Sequence, residues 1–236
     1  MKKYFKQFPK VVAAMSGKED GSMKLFDKDW RLDKKTEKNR KKYFKKIGIK
    51  SENVVYAYLK NGTNVKLIKD AHLQIIKNDD GLITKQNNLY LAITAADCIP
   101  VYFYDAKQNI IGLAHAGWRG IAGGIIGNIL EKIIEAGGNT ENIHVFLGPG
   151  INDCHFEINK DIMEKFSEYP EFVLRREEKI FVDLKGIIKK QLLTLNVKEK
   201  NIDSDSDCTY CSENLFSFRR DKTEPLEAMI AIIGMV

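Results

Sequence analysis

Hydrophobic positions along the chain fall into two rhythms. Short runs rich in β-branched and aromatic residues recur: VVYAYL at 54–59, VKLI at 65–68, LYLAIT at 89–94, IPVYFY at 99–104, IIGLAH at 110–115 and IHVFLG at 143–148. Runs of this length and composition predict strands. Other stretches follow the helical repeat. IAGGIIGNILEKIIEAGG has isoleucine at 121, 125, 129 and 133, with a second row at 122, 126, 130 and 134, and its Gly137–Gly138 pair supplies the stop. KTEKNRKKYFKKIGI, over 35–49, predicts an amphipathic helix with Tyr43, Phe44 and Ile47 inward and its lysines in water. Residues 159–168 and 184–195 also read as helices. Strands and helices mixed in this way mean an α/β or α+β domain with hairpins as well as crossovers.

Length and composition narrow the picture. At 236 residues and 44% hydrophobic content, the chain suits a single domain over 1–236 with an ample core. Its apolar runs, such as the final MIAIIGMV, fall far short of the roughly 20 residues needed to span a bilayer. The opening MKKYFKQFPKVVAAM lacks the sustained apolar region of a signal peptide. A cytoplasmic location with no membrane contact is therefore expected. The net charge of +6 is uneven: residues 1–50 carry 17 Lys/Arg against 6 Asp/Glu. No nucleic-acid motif accompanies that charge, so it reads as the wet face of the 35–49 helix rather than as a nucleic-acid site. Four cysteines, at 98, 154, 208 and 211, are too few for a disulfide scaffold, and reduced thiols are expected. Cys208 and Cys211 form CTYC, but one CxxC supplies only half of a zinc site and no second CxxC exists. The roles of that pair, and of Cys154 and His155, stay open at this level.

The candidate chemistry lies in TAADCIPVYFYDAKQNIIGLAHAGWRG, residues 94–120. DAKQN is short enough to join its two strands as an antiparallel hairpin, which brings Cys98 and His115 to one open end. The register is not fixed by sequence, and a slip of one residue reverses the face. A neighbouring imidazole can activate a thiol, or both can ligate a metal. Asp97 is placed to orient the imidazole or to act as acid or base. The bland alternative is that Cys98 is a small buried residue. HAGWRG then leads into a helix start, where Arg119 and the small residues at 114, 116, 117, 120, 123 and 124 suggest a pocket for phosphate, ribose or carboxylate. A surface ion pair is the plainer reading of Arg119, and a core aromatic that of Trp118. NGTNV at 61–65, GPGINDCHFEI at 148–158 and SENLFSFRRDK at 212–222, with Arg219 and Arg220, are further candidate site loops.

Taken together, NGTNVKLI, DDGLIT, TAADCIPVYFYD, GLAHAGWRG, GPGINDCHFEI and CTYCSENLFSFRRDK resemble, in order, the laccase-domain family, also called polyphenol oxidase or peptidoglycan-editing-factor proteins. The resemblance implies an α+β fold in one compact domain, with mixed sheets in four α/β/β/α layers. It also implies a zinc site made by one cysteine and two histidines. Cys98 and His115 match two of these ligands, Asn39–Arg40 resembles the family's Asn-Arg pair, and Arg219–Arg220 resembles its Arg-Arg pair. Asn61 stands where the other histidine would be, and an amide beside two strong ligands makes a poor zinc site.

The resemblance implies phosphorolysis of adenosine, inosine or methylthioadenosine, with adenosine deamination as a further activity. Purine nucleosides and phosphate would then be the partners, with Cys98, His115 and Asp97 at the reacting centre and Arg119, Arg40, Asn61 and Arg219 holding substrate. Two alternatives stand beside this reading: an amidase that removes misincorporated serine from a cell-wall precursor, and a non-catalytic purine binder disabled at Asn61. Zinc is the expected metal. Copper is disfavoured, because four histidines in the whole chain cannot form a histidine-rich multicopper centre. The oligomeric state is not readable.

Overall fold

The computed structural model describes residues 2–27, 29, 31–72 and 74–236. The strands in the first half are β1 (Lys2–Tyr4), β2 (Val11–Met15), β3 (Val54–Tyr58), β4 (Val65–Ile68), β5 (Ile75–Lys77), β6 (Gly81–Thr84), β7 (Tyr90–Ala95), β8 (Ile99–Asp105) and β9 (Ile110–Ala116). After them come β10 (Ile143–Leu147), β11 (Glu157–Ile158), β12 (Val173–Arg176), β13 (Lys179–Val182), β14 (Ile202–Ser204) and β15 (Met229–Met235). The helices are α1 (Lys34–Ile47), α2 (Trp118–Gly123), α3 (Ile125–Glu135), α4 (Lys160–Glu164), α5 (Leu184–Thr194) and α6 (Phe218–Asp221).

Two six-stranded mixed sheets form the middle of the molecule. One runs β1-β2-β15-β7-β3-β5 and the other β14-β10-β8-β9-β6-β4. Their facing sides bury a shared core, with Val55, Leu91, Ile93, Ala231 and Ile233 on one side and Leu82, Tyr102, Ile111 and Leu113 on the other. The outer face of the first sheet is covered by α1, whose Tyr43 and Phe44 pack on Ala92, Ile230 and Ile232. The outer face of the second is covered by α3 and α5 through Ile125, Ile129, Ile133, Ile187 and Leu192. The four layers are thus α/β/β/α, as the motifs implied. The seven residues of β15 are all buried between its neighbours β2 and β7, which explains the near-continuous apolar run at the C-terminal end. No helix among the described residues is long and apolar enough to cross a membrane.

Most elements match the periodicity. The lysines of α1 face water while Tyr43 and Phe44 are buried. Asp33 caps this helix by accepting from Lys35 and Thr36 N–H groups. The largest departure is after His115. One helix was expected from residue 121, but the chain turns helical at Trp118 and breaks at Gly124, whose φ of 94° is left-handed. The i, i+4 isoleucine rows run through that break, so periodicity alone does not register it.

The β8–β9 hairpin has the register Ile99↔Ala116 and Pro100↔His115. Side chains alternate along a strand, so Cys98, Pro100, His115 and Gly117 share one face of this ladder, with Cys98 diagonal to His115. On the other side of β9, Gly81 of β6 pairs with Ala114, and the His115 N–H donates to the Asp80 carbonyl at 2.8 Å. Three neighbouring strand ends therefore deliver Asp80, His115 and Cys98 in a row.

Candidate active site

The row ends at a cavity of about 670 Å³. Cys98 and His115 lie in its wall together with Asn61, Asp97, Arg119 and Arg219, while Phe26, Tyr58, Trp118, Phe156 and Phe218 supply aromatic surface. This size and mix of apolar wall with a few polar groups suits a small-molecule ligand.

His115 is buried, and its Nδ1 lies 3.0 Å from Asp80 Oδ1. That carboxylate is wholly buried and also accepts from the backbone N–H groups of Lys60 (3.0 Å), Asn61 (3.0 Å) and Gly62 (2.9 Å). Asp80 therefore does two jobs. It ties the NGTNV turn to the strand ends, and it fixes the imidazole so that Nε2 is the nitrogen available to Cys98. Burial opposes charge on the His115 ring, but the Cys98 sulfur and the Asp80 carboxylate outweigh it and push the imidazole up to about 10. Burial would raise Asp80 as well, yet its bonds to His115, Gly62 and Lys60 hold it below the usual carboxylate range. An imidazolium locked between a carboxylate and a thiol is a proton donor oriented toward the cavity.

Gly117 marks how tightly the site converges. A Cβ there would lie 3.0 Å from Cys98 Sγ, 3.2 Å from Asn61 Oδ1 and 3.7 Å from His115 Cε1. Asn61 has a left-handed φ of 55°, which asparagine tolerates, and its side-chain oxygen reaches the same spot as the thiol. The two strong donors Cys98 and His115 are thus joined by an amide rather than by a second imidazole. That donor set falls short of the three strong protein ligands of a catalytic zinc centre, so the chemistry below runs through side chains alone.

The remaining predicted residues do not all meet the Cys98–His115 pair. Asp97 has a left-handed φ of 86° and is buried, but its carboxylate points away from the imidazole. Oδ1 accepts from Thr209 Oγ1 at 2.6 Å, Oδ2 accepts from the Arg219 N–H at 2.7 Å, and its carbonyl accepts from Ile151 N–H at 2.8 Å. Asp97 is a junction joining three loops, and Asp80 holds the place expected of it. Arg40 does not reach the cavity. It is buried on the inner side of α1, where Nη1 donates to the carbonyls of Met23 (3.3 Å) and Lys24 and to Thr36 Oγ1 (3.1 Å), bracing the irregular stretch whose Lys24 and Leu25 line the cavity. Arg219 does line it, over the Phe156 ring, with one nitrogen donating to the Glu157 carbonyl at 2.9 Å. Arg119 is exposed at the cavity and stacks 4.2 Å over Trp118, with no ion pair among the described residues. Arg220 instead gathers the carbonyls of Thr209, Tyr210, Ser212 and Leu215 and pairs with Asp221.

Outside the cavity, Cys154, His155, Cys208 and Cys211 form a second group, whose ligand atoms all lie within 4.8 Å of one another. None of the four lines the cavity. Sequence reading left both halves of this group open, because the partner of CTYC is not another CxxC but an adjacent Cys-His pair 53 residues upstream of Cys208. It missed Asp80 as well. The signal for Asp80 was present in DDGLIT, a carboxylate one residue before a strand that neighbours β9.

The family described as multi-copper polyphenol oxidoreductase laccase matches residues 23–235. A purine nucleoside phosphorylase of Corynebacterium glutamicum is 30% identical over 194 residues, 80% of this chain and 78% of that protein. One from Staphylococcus aureus is 34% identical over 193 residues, 78% of this chain and 69% of that one. The crystal structure of the hypothetical protein YfiH from Bacillus licheniformis superposes with a TM-score of 0.87 at 27% identity, covering 96% of this chain and 93% of that one.

Proposed function

Because this chain belongs to the multi-copper polyphenol oxidoreductase laccase family, whose relatives above are purine nucleoside phosphorylases, we propose that it cleaves purine nucleosides with phosphate. The observation that carries this reading is the Asp80–His115–Cys98 row opening into an aromatic-walled cavity with Arg119 at its side. Phosphorolysis needs three things at once: a flat apolar surface for the base, a cation for phosphate, and an acid for the departing base.

The walls offer each of these. Phe26, Tyr58, Trp118 and Phe218 supply ring surface for a purine. Arg119 and Arg219 supply guanidinium donors that suit phosphate oxygens. In the reaction, a phosphate oxygen forms a bond to the ribose anomeric carbon as the carbon–nitrogen bond breaks. The bonding electron pair leaves with the purine, which takes a proton from the His115 imidazolium. The products are free base and ribose 1-phosphate. Asp80 keeps the ring charged and aimed, and Cys98 holds its other side. Asn61, beside the thiol, offers an amide to a ribose hydroxyl or base edge.

Deamination of adenosine is the weaker reading of this geometry, since it calls for a strongly activated water and the Cys98, His115 and Asn61 donors are a poor zinc set. The name multi-copper describes the family, and its implied histidine-rich centre has no counterpart among the described residues. His115 faces the cavity, His155 faces the second cluster, and His144 packs 4.7 Å from the Phe8 ring.

The test is mass-spectrometric product analysis with adenosine, inosine and methylthioadenosine, with and without phosphate, beside Cys98→Ala. Free base plus ribose phosphate, dependent on phosphate and lost in the variant, is the expected result. Inosine from adenosine in phosphate-free buffer, or products undiminished in Cys98→Ala, would refute the assignment.

A further inference from the structure

We infer that Cys154, His155, Cys208 and Cys211 bind one zinc ion in a closed, structural Cys₃His site, separate from the reacting centre. The argument is geometric. Zinc lies about 2.3 Å from sulfur and about 2.0–2.1 Å from nitrogen in a tetrahedron. Such a tetrahedron has edges of roughly 3.8 Å between sulfurs and roughly 3.6 Å between sulfur and nitrogen. Cys154 Sγ and Cys211 Sγ are 3.7 Å apart, and His155 Nδ1 is 3.2 Å from Cys154 Sγ and 3.3 Å from Cys211 Sγ. The sulfur pair is far longer than a disulfide of about 2.05 Å, and all four cysteines of the chain are free thiols. Three donors already stand at tetrahedral spacing, the Cys208 sulfur lies within 4.8 Å of each of them, and a fourth protein ligand leaves no position for substrate.

The surroundings fit a metal as well as the donors do. Asn152 N–H donates to Cys208 Sγ at 3.4 Å, and the backbones of Tyr210 and Cys211 also reach that sulfur. Backbone donors to a ligating sulfur stabilise it as thiolate. The His155 ring stacks on Tyr210 at 4.0 Å with an interplanar angle of 15°, which fixes its orientation. Binding zinc would release three thiol protons and leave the site with one net negative charge. Arg220 lies close enough to act on Cys211, and Lys185 on Cys208, so that charge has cations beside it.

The site would staple two loops that both reach the cavity wall. Residues 148–158 carry Ile151 and Phe156 into the cavity wall, and the segment after Cys211 carries Phe218 and Arg219 to the same wall. Hydrogen bonds already link these loops, from the Thr209 N–H to the Gly150 carbonyl at 3.0 Å and from the Asn152 side-chain amide to the Ser206 carbonyl at 2.9 Å, and the metal would lock the outer end of that junction.

Zinc content separates this site from Cys98 and His115. The full chain is expressed with zinc, purified reduced, desalted, and measured by plasma mass spectrometry beside Cys98→Ala, Cys211→Ser and Cys211→His. About one zinc per chain is expected in the wild type and in Cys98→Ala, at least a tenfold loss in Cys211→Ser, and retention in Cys211→His, which remains a four-ligand set. Apo wild type titrated with cobalt reads the same ligands without any variant, through thiolate-to-cobalt charge transfer and intense tetrahedral visible bands. Zinc that is lost in Cys98→Ala but kept in Cys211→Ser would overturn the proposal. So would a wild type with neither zinc nor the cobalt spectrum, or a Cys154–Cys211 disulfide peptide in freshly purified metal-free protein.

Discussion

The chain places cysteine beside histidine twice, and the two places are built for opposite purposes. At Cys98 and His115, one thiol and one imidazole meet at the open ends of paired strands, and the nitrogen facing away is taken by a buried carboxylate. At the second group, three thiols and one imidazole face one another on two surface loops, and none of the four lines the cavity. The first arrangement leaves its thiol–imidazole pair in the wall of an open cavity. The second closes its donors on themselves. What separates a reacting pair from a tether is thus the third partner: a carboxylate that polarises, or more sulfur that completes a shell.

The sharpest way to break this contrast is to remove the proton donor. His115→Ala is expected to cut phosphorolysis by roughly 10²- to 10⁴-fold while leaving zinc content untouched. Circular dichroism and metal analysis of the same sample check both halves. A fall in zinc would merge the two sites into one.

Asp80→Asn comes next, with a loss of roughly 10- to 100-fold, the range for partners that orient a functional group. A charged His115 is the working form, so activity is expected to fall as pH rises through about 10. Without the Asp80 charge that alkaline limb should move to lower pH, which a kcat–pH profile reads. The same pairing also supports folding. The ring's folded value lies above its unfolded value near 6.5, so this stability is fully present below about 6.5 and disappears as pH passes about 10.

Asn61→His sharpens the comparison by making the first site resemble the second. It adds an imidazole where the amide oxygen now meets the thiol, and zinc affinity at the cavity should rise by about tenfold or more. Equilibrium dialysis would then show a second zinc per chain. An unchanged metal content would mean that residue 61 does not share the Cys98 site.

The smallest expected effect is at Asp221, which pairs with the Arg220 hub on the tethered side. The Arg220 guanidinium lowers this carboxyl to about 2 from an ordinary 3.8. A depressed carboxyl contributes stability above its unfolded value and loses it as pH falls through the folded one. Asp221→Asn should therefore cost about 1 kcal/mol at neutral pH, given the pair's partial exposure, and only a small part of that near pH 2. Urea unfolding at both pH values measures it.

The mixture of strands and helices and half of the reacting centre were legible because they rest on local rules, whereas the four layers came only with the family resemblance. Short β-branched and aromatic runs marked β8 and β9, a five-residue loop made them a hairpin, and that alone brought Cys98 to His115. What was not legible depended on which strands sit side by side. Asp80 reaches His115 only because β6 lies next to β9, and no local pattern states that adjacency. Asp97 looked like the orienting carboxylate because it is next to Cys98 in sequence. Its left-handed backbone swings its oxygens toward Thr209 and Arg219 instead. Arg40 kept its family motif but serves beneath the wall rather than in it. The Cys₃His group hid for a related reason: its halves sit on loops separated by two helices and the β12–β13 hairpin, and only the folded chain brings them face to face.

The bare backbone at Gly117 has a consequence for how this protein could be studied. The position where its missing methyl would go is 3.0 Å from the thiol and 3.2 Å from the Asn61 side-chain oxygen, closer than ordinary van der Waals contact, so both neighbours would have to give way. Gly117→Ala would therefore act as a wedge from behind the wall, pushing the thiol and the amide apart while the remote Cys₃His cluster stays as it is.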